Sequence, residues 1–254
     1  MIKGLLTSLF LLLFVPVLSV AAEIELNHVI NALETPFKSQ TKISERIHDF
    51  HADFFQRSHI ASIGRTQHGQ GTVSFKFVTS LVHESSLAKF RWQYREPSIQ
   101  EIISDGQTLW VYLPENRQVI ESDITKIDAQ QGENPVTFLS GLGNLSRDFS
   151  INWGFPRTVE SGGYRLLLEP RKKSQFIQQI EVVVSEMAVN SWLEQHKTGE
   201  IFPILTTLIT DPSGNRTAIE FRDVQVNQEL ADRSFSFERP EGVELVHHGE
   251  QMSF

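Results

Sequence analysis

No cysteine occurs anywhere in the 254-residue chain. Disulfides, thiolate catalysis and cysteine-ligated metal sites are excluded with it. Basic residues are also scarce: 23 Lys and Arg stand against 31 Asp and Glu, a formal net charge of −8. The densest basic run, Arg171-Lys172-Lys173, is too short to track a phosphate backbone, so nucleic acid is not expected as a partner. Beyond the N-terminal segment, no apolar run approaches the roughly 18 residues that span a bilayer, and stable membrane insertion is not expected. Tyrosine is rare as well: three, against 18 Phe and four Trp. The aromatic content is almost wholly apolar.

The N-terminus has its own pattern. Lys3 precedes an apolar stretch from Leu5 to Leu18 interrupted by Pro16, and Val20-Ala21-Ala22 supplies small residues for cleavage. Residues 1–22 are therefore expected to be a secretory signal peptide and residues 23–254 a single domain outside the cytoplasm. A domain exported without disulfides must be held by its core, and this length suffices for one.

The first twenty residues after the cleavage site carry Leu26, Ile30 and Leu33 at helical spacing before Pro36. A second helix is expected from about Lys42 to Phe55, since Ile43, Ile47, Phe50 and Phe54 recur at steps of four, three and four. From Gly69 the period becomes two. Val73, Phe75 and Phe77 share one face of a strand; Phe90, Trp92 and Tyr94 share one face of the next. Asp105-Gly106 predicts a tight hairpin, followed by a short strand from Arg117. Pro135, Val136, Leu139 and Leu142 predict a short helix over 134–145, weakened by Gly141 and Gly143. Further strands are expected at Phe149–Trp153, Tyr164–Leu168, Gln179–Val184, Ile204–Thr210, Thr217–Phe221 and Val224–Val226, with Phe235 and Phe237 at strand spacing near the end. Short strands with short antiparallel connections make the chain mainly β.

Catalytic motifs are missing. There is no G-x-S-x-G elbow, and Gly69-Gln-Gly-Thr lacks the lysine of a phosphate loop. His48 with His51, and His247 with His248, are too few for a metal site. Neither enzyme activity nor a metal or cofactor is expected. An apolar ligand on a concave sheet face is the functional use that the aromatic excess suggests; a filled core is the plainer one.

One resemblance runs over about residues 42–246. Phe50-His-Ala-Asp-Phe-Phe-Gln56, Gly69-Gln-Gly71, Phe90-Arg-Trp92, Pro97, Ser104-Asp-Gly-Gln-Thr-Leu-Trp-Val-Tyr112, Asn134-Pro-Val-Thr-Phe138, Asp211-Pro-Ser-Gly-Asn-Arg-Thr217 and Phe235-Ser-Phe-Glu-Arg-Pro-Glu-Gly-Val243 follow one another in this order. Together they resemble the outer-membrane lipoprotein carrier protein family. The resemblance implies a strongly curved antiparallel sheet, an incomplete β-barrel covered by lid helices. It also implies a monomeric periplasmic chaperone that takes acylated lipoproteins from an ABC-type release complex at the inner membrane to a receptor at the outer membrane. The related receptor is itself a lipoprotein, and this chain has no cysteine to acylate.

On that reading Phe75, Phe90, Trp92, Leu109 and Val111 are expected to line the lipid-binding cavity. Phe50, Phe54, Phe138, Leu139 and Leu142 are expected on the covering helices. With Asp105-Gly106 as the central pair, Ile102 would face Leu109, which puts Leu109 and Val111 on the concave side and Trp110 and Tyr112 outside.

The chain also departs from the family. The arginine that tethers the lid has no clear match; Lys76 and Arg91 alternate to the side opposite the inward aromatics. Insertions fall near 78–89 and near 187–202, the latter an extra arm or contact surface carrying Trp192. These departures leave a second reading open, an envelope-stress sensor that binds lipoprotein on the same fold.

Overall fold

The structure is a computed structural model, and it describes residues 23–78, 87–123 and 138–247. The expected signal peptide, most of the first insertion and the first turn of the helix expected at Asn134 lie outside those residues.

Twelve strands form one open, curled sheet: β1 Asp49–Ile60, β2 Arg65–Val78, β3 Leu87–Glu96, β4 Gln100–Ser104, β5 Thr108–Leu113, β6 Gln118–Asp123, β7 Phe149–Val159, β8 Gly163–Pro170, β9 Gln179–Ser185, β10 Ile204–Thr210, β11 Arg216–Val226 and β12 Glu244–His247. Two antiparallel meanders, β1 to β6 and β7 to β11, join where β1 pairs with β11. The edges are β7 and β12, and β12 joins β6 in parallel, the one parallel pair of the sheet. The edges do not pair with each other, so the barrel is incomplete.

The alternation read for β2 and β3 holds. Phe75 lies opposite Phe90 and Val73 opposite Trp92. The helix expected over 42–55 does not form. Only Ile43–Glu45 makes a 3-10 turn, Ile43 is 70% exposed, and Phe50 and Phe54 sit on β1. Phe50-His51-Ala52-Asp53-Phe54 alternates apolar and polar, and Phe50, Ala52 and Phe54 are all fully buried. A step of four residues fits both periods; the polar residues between, His51 and Asp53, point to period two.

The hairpin after β4 is also shifted. Ser104 pairs with Leu109 and Ile102 with Val111, two residues away from the tight-turn register, because the loop between the closing pair holds four residues, 105–108, rather than two. Asp105 closes that loop: one carboxylate oxygen accepts from the Gln107 and Thr108 amides, both at 2.8 Å, while Gly106 takes φ +93°. A two-residue slip preserves side-chain parity, so the faces are those expected. The strands expected at 217–221 and 224–226 are a single strand, β11, bent at Asp223, which has φ +50°.

Helix α1, Leu26–Glu34, buries Val29, Ala32 and Leu33 and stops where Pro36 enters a 3-10 turn. The segment expected as one helix after Asn134 is a 3-10 stretch, Phe138–Asn144, then one α turn, α2, Leu145–Asp148. The insertion near 187–202 is not an extended arm. It contributes α3, Glu186–Gln195, which packs against α1. The end of the chain is not a strand at Phe235 and Phe237 but a strap containing the 3-10 turn Asp232–Phe235.

Candidate functional site

The two faces of the sheet are built differently. On the concave face the register places Phe50 beside Phe75 and Phe75 beside Phe90. Their rings stack at 5.4 and 5.2 Å, a ladder across β1, β2 and β3. Phe202 closes on Phe50 at 4.4 Å, and Phe54 meets Trp92 edge-on at 4.8 Å. Each such pair contributes about 0.5–1.5 kcal/mol beyond the area it buries. Phe221, Ile219, Val182, Val184, Leu166 and Leu168 continue the same wall.

The cover is made of segments outside the sheet. Val29 and Leu33 of α1, Phe37, Phe138, Leu139 and Leu142 of the 3-10 stretch, Leu145 of α2 and Val189 of α3 join the same core. At both flanks the concave face stays apolar but only half-buried: Ile102, Leu109, Val111 and Ile120 on one side, Ile151 and Trp153 on the other. Apolar wall beneath a partly open cover can receive an apolar guest.

Every expected site residue can now be placed. Phe75, Phe90 and Trp92 are fully buried on the concave wall, and Leu109 and Val111 extend it to the half-buried flank. Phe138, Leu139 and Leu142 belong to the cover. Phe50 and Phe54 do not: they are on β1 and form part of the wall.

Glu34 and Arg157 tie the cover down, and neither was foreseen. Glu34, 2% exposed at the end of α1, accepts from the Ser146 amide at 2.5 Å and pairs with Lys38 at 2.8 Å. It thereby fastens α1 to the first turn of α2. At the other end of α1, Arg157 of edge strand β7 binds the Glu23 carboxylate at 2.8 Å, donates to the Ile24 carbonyl and lies 3.8 Å from the centre of the Trp153 ring. An arginine does tether the cover, but from β7. Glu34 had one sequence signal, a carboxylate four residues before Lys38 at the end of an amphipathic helix.

Lys76 and Arg91 point to the convex side, as alternation requires. Lys76 donates to the Leu230 carbonyl and to Asp232, both at 2.8 Å; Arg91 donates to the Ser236 carbonyl at 3.0 Å. They hold the C-terminal strap against the outside of the sheet. Asp49 pins its start through the Gln228 and Leu230 amides at 2.7 and 3.1 Å. Beneath the strap lies a small second core of Ile103, Val119 and Phe235, all fully buried, with Phe237 against Trp110 and Tyr112 at 6.1 and 5.5 Å.

Elsewhere the convex face is mixed, with Phe55 exposed beneath the Arg222 guanidinium. A concavity of about 550 Å³ there is lined by Arg57, His59, Thr66, His68 and Arg216. Among the described residues no His, Asp and Glu group could hold a metal ion, and no helix is long and apolar enough to cross a membrane. His51 bonds to Ser74 and His48 to the Ile43 carbonyl.

A family model described as outer membrane lipoprotein carrier protein LolA matches residues 45–238. The outer-membrane lipoprotein carrier protein of Bordetella avium is 28% identical over 192 residues, 76% of this chain and 78% of that one. Its counterpart in Hahella chejuensis is 27% identical over 187 residues, 73% and 80% of the two chains. Among solved structures, a LolA superfamily protein from Nitrosomonas europaea aligns over 85% of this chain and 99% of that one, at 14% identity and a TM-score of 0.40.

Proposed function

The chain belongs to the outer membrane lipoprotein carrier protein LolA family, and from that premise we propose that it is a periplasmic chaperone which carries acylated lipoproteins between the two membranes. The observation that supports this most is the concave wall: one continuous apolar surface on a curled sheet, covered by α1, α3 and the 138–148 segment instead of by a second sheet. A lipoprotein anchor cannot cross water unaided, because each exposed methylene costs about 0.8 kcal/mol. The wall replaces water around the acyl chains, with Phe75, Phe90, Trp92, Leu109 and Val111 as lining and Phe50 and Phe54 beside them.

Cargo enters when the cover of α1, Phe138, Leu139 and Leu142 moves aside. The Arg157–Glu23 tie is an exposed ion pair that opens at low cost, whereas the buried Glu34 carboxylate keeps α1 fastened to α2 as the cover lifts from the aromatic ladder. The carrier acts by binding and release, without a covalent step. It collects cargo at an inner-membrane ABC-type release complex and yields it to an outer-membrane receptor. Titration of the purified protein with a triacylated lipopeptide tests the reading. Saturable one-to-one binding that displaces an apolar dye is expected; no binding, or binding to the delipidated peptide alone, contradicts it.

A further inference from the structure

Trp92 is fully buried on the concave wall, and its indole Nε1 has no hydrogen-bond acceptor among the described residues. Its surroundings are rings: Phe54 at 4.8 Å, Phe221 at 6.4 Å and Phe75 at 6.5 Å. A buried donor left unpaired raises the free energy of the empty protein, and native interiors contain few of them. The next inward residue on β3 is Tyr94. Its hydroxyl donates to Gln56 Oε1 at 2.8 Å, and burial pushes its pKa up to about 12, so it stays a neutral donor. Tyr94 and Gln56 border a recess of about 220 Å³ shared with Ser58, Ser98 and Gln100, with His68 at its rim. Within two residues along β3, then, the wall passes from apolar rings to neutral polar groups, with the unpaired donor at the boundary.

We propose that the indole N–H of Trp92 donates a hydrogen bond to an acyl ester carbonyl of the cargo. An esterified lipid has the matching order: apolar chain, carbonyl acceptor, polar glycerol. The chain lies along the phenylalanine ladder, the carbonyl meets Trp92, and the glycerol end fills the recess at Gln56 and Tyr94. No lysine or arginine lines that recess, and His68 at its rim also lines the concavity on the convex side, so the recess suits an uncharged ester over a free fatty-acid carboxylate. Trp92 is on this account a specificity-determining residue: it distinguishes ester-linked chains from bare hydrocarbon.

The inference rests on the carrier reading, and the test separates the two. Affinities of the unaltered protein and of Trp92→Phe are measured for a short-chain diacylglycerol and for the dialkyl ether with the same chains. The unaltered protein is expected to prefer the ester by about 3–10-fold, and Trp92→Phe to bind both as the unaltered protein binds the ether. Independently of any variant, the Trp92 indole N–H resonance of ¹⁵N-labelled protein is expected to shift downfield with the ester and not with the ether. Equal affinity of the unaltered protein for both probes overturns the proposal alone, as does an ester preference that survives in Trp92→Phe. Binding of neither probe overturns the carrier reading and the proposal together.

Discussion

At position 71 a side chain larger than hydrogen has no room. A β-carbon there would lie 1.9 Å from the Gln93 carbonyl oxygen and 3.0 Å from the Phe54 ring. The bulge between Gln70 and Gly71, where β2 shifts against β3, fixes this close approach. Gly71→Ala should therefore lower stability by about 1–3 kcal/mol, seen as an earlier midpoint in chemical denaturation; an unchanged midpoint would contradict the packing described. Charge substitutions on the concave wall separate by burial. Phe90 is fully buried against Phe75, so Phe90→Glu should cost several kcal/mol and yield little folded protein. Leu109 is half-buried at the flank. Leu109→Glu should keep the melting temperature within a few degrees and weaken lipopeptide binding at least tenfold, on the order of 1.4 kcal/mol. Thermal melts run beside binding titrations check both. Phe90 was legible from alternation; Leu109 was placed from the assumed hairpin register, and it keeps its face because a slip of two residues leaves every side chain where it was. Trp92 as an unpaired donor was not legible, because satisfaction depends on what surrounds the indole.

The β1 strand illustrates how an element can be misread. Ile43, Ile47, Phe50 and Phe54 fit a helical stripe, yet Phe50 pairs with Phe75 and Phe54 with Gly71. Aromatic residues at i and i+4 satisfy both periods, and tertiary pairing decides between them. The helix after Asn134 failed for a different reason. Gly143 approaches so closely that a β-carbon would sit 2.7 Å from the Phe37 carbonyl oxygen, and the segment follows that contact as a 3-10 stretch. The ties on the cover make a prediction of their own. Glu34→Ala removes the acceptor for the Ser146 amide, and Arg157→Leu removes the clasp on Glu23 and Ile24. Each should increase hydrogen exchange in α1 and speed uptake of an apolar dye, while exchange in β1 and β2 stays slow; equal acceleration in the strands would show that the cover does not open separately. The strap has a pH signature. Its Asp232 carboxylate is held below the ordinary value of 3.8, first by the hydrogen bond from Lys76 and then by Lys89. A depressed folded value means that the attachment is complete above 3.8 and is lost as pH falls through the lower, folded value. Protection of the Ser234 and Ser236 amides should be flat from neutrality down to that range and fall below it. Asp232→Asn should remove the inflection.

The molecule as a whole places a large apolar face on the inside of a curled sheet and a small one under the strap. The mainly β class, the curved sheet and the separate cover were expected from short strands, aromatic alternation and the family resemblance. Two features of the architecture were not: the closure of the two meanders through β1 and β11, and the parallel edge pair of β12 with β6. Both join residues far apart in sequence, and neither the period nor the turn chemistry of a segment encodes its distant partner. The lipoprotein-carrier account claims that the inner face exists to hold acyl chains while the protein itself stays in water. The most direct measurement adds the purified protein to spheroplasts that retain newly made lipoprotein at the inner membrane, then separates membrane from supernatant. Lipoprotein is expected in the supernatant in a one-to-one complex with this chain, and much less of it with Leu109→Glu. Lipoprotein that stays with the membrane, although the added protein is folded and binds lipopeptide, would contradict it.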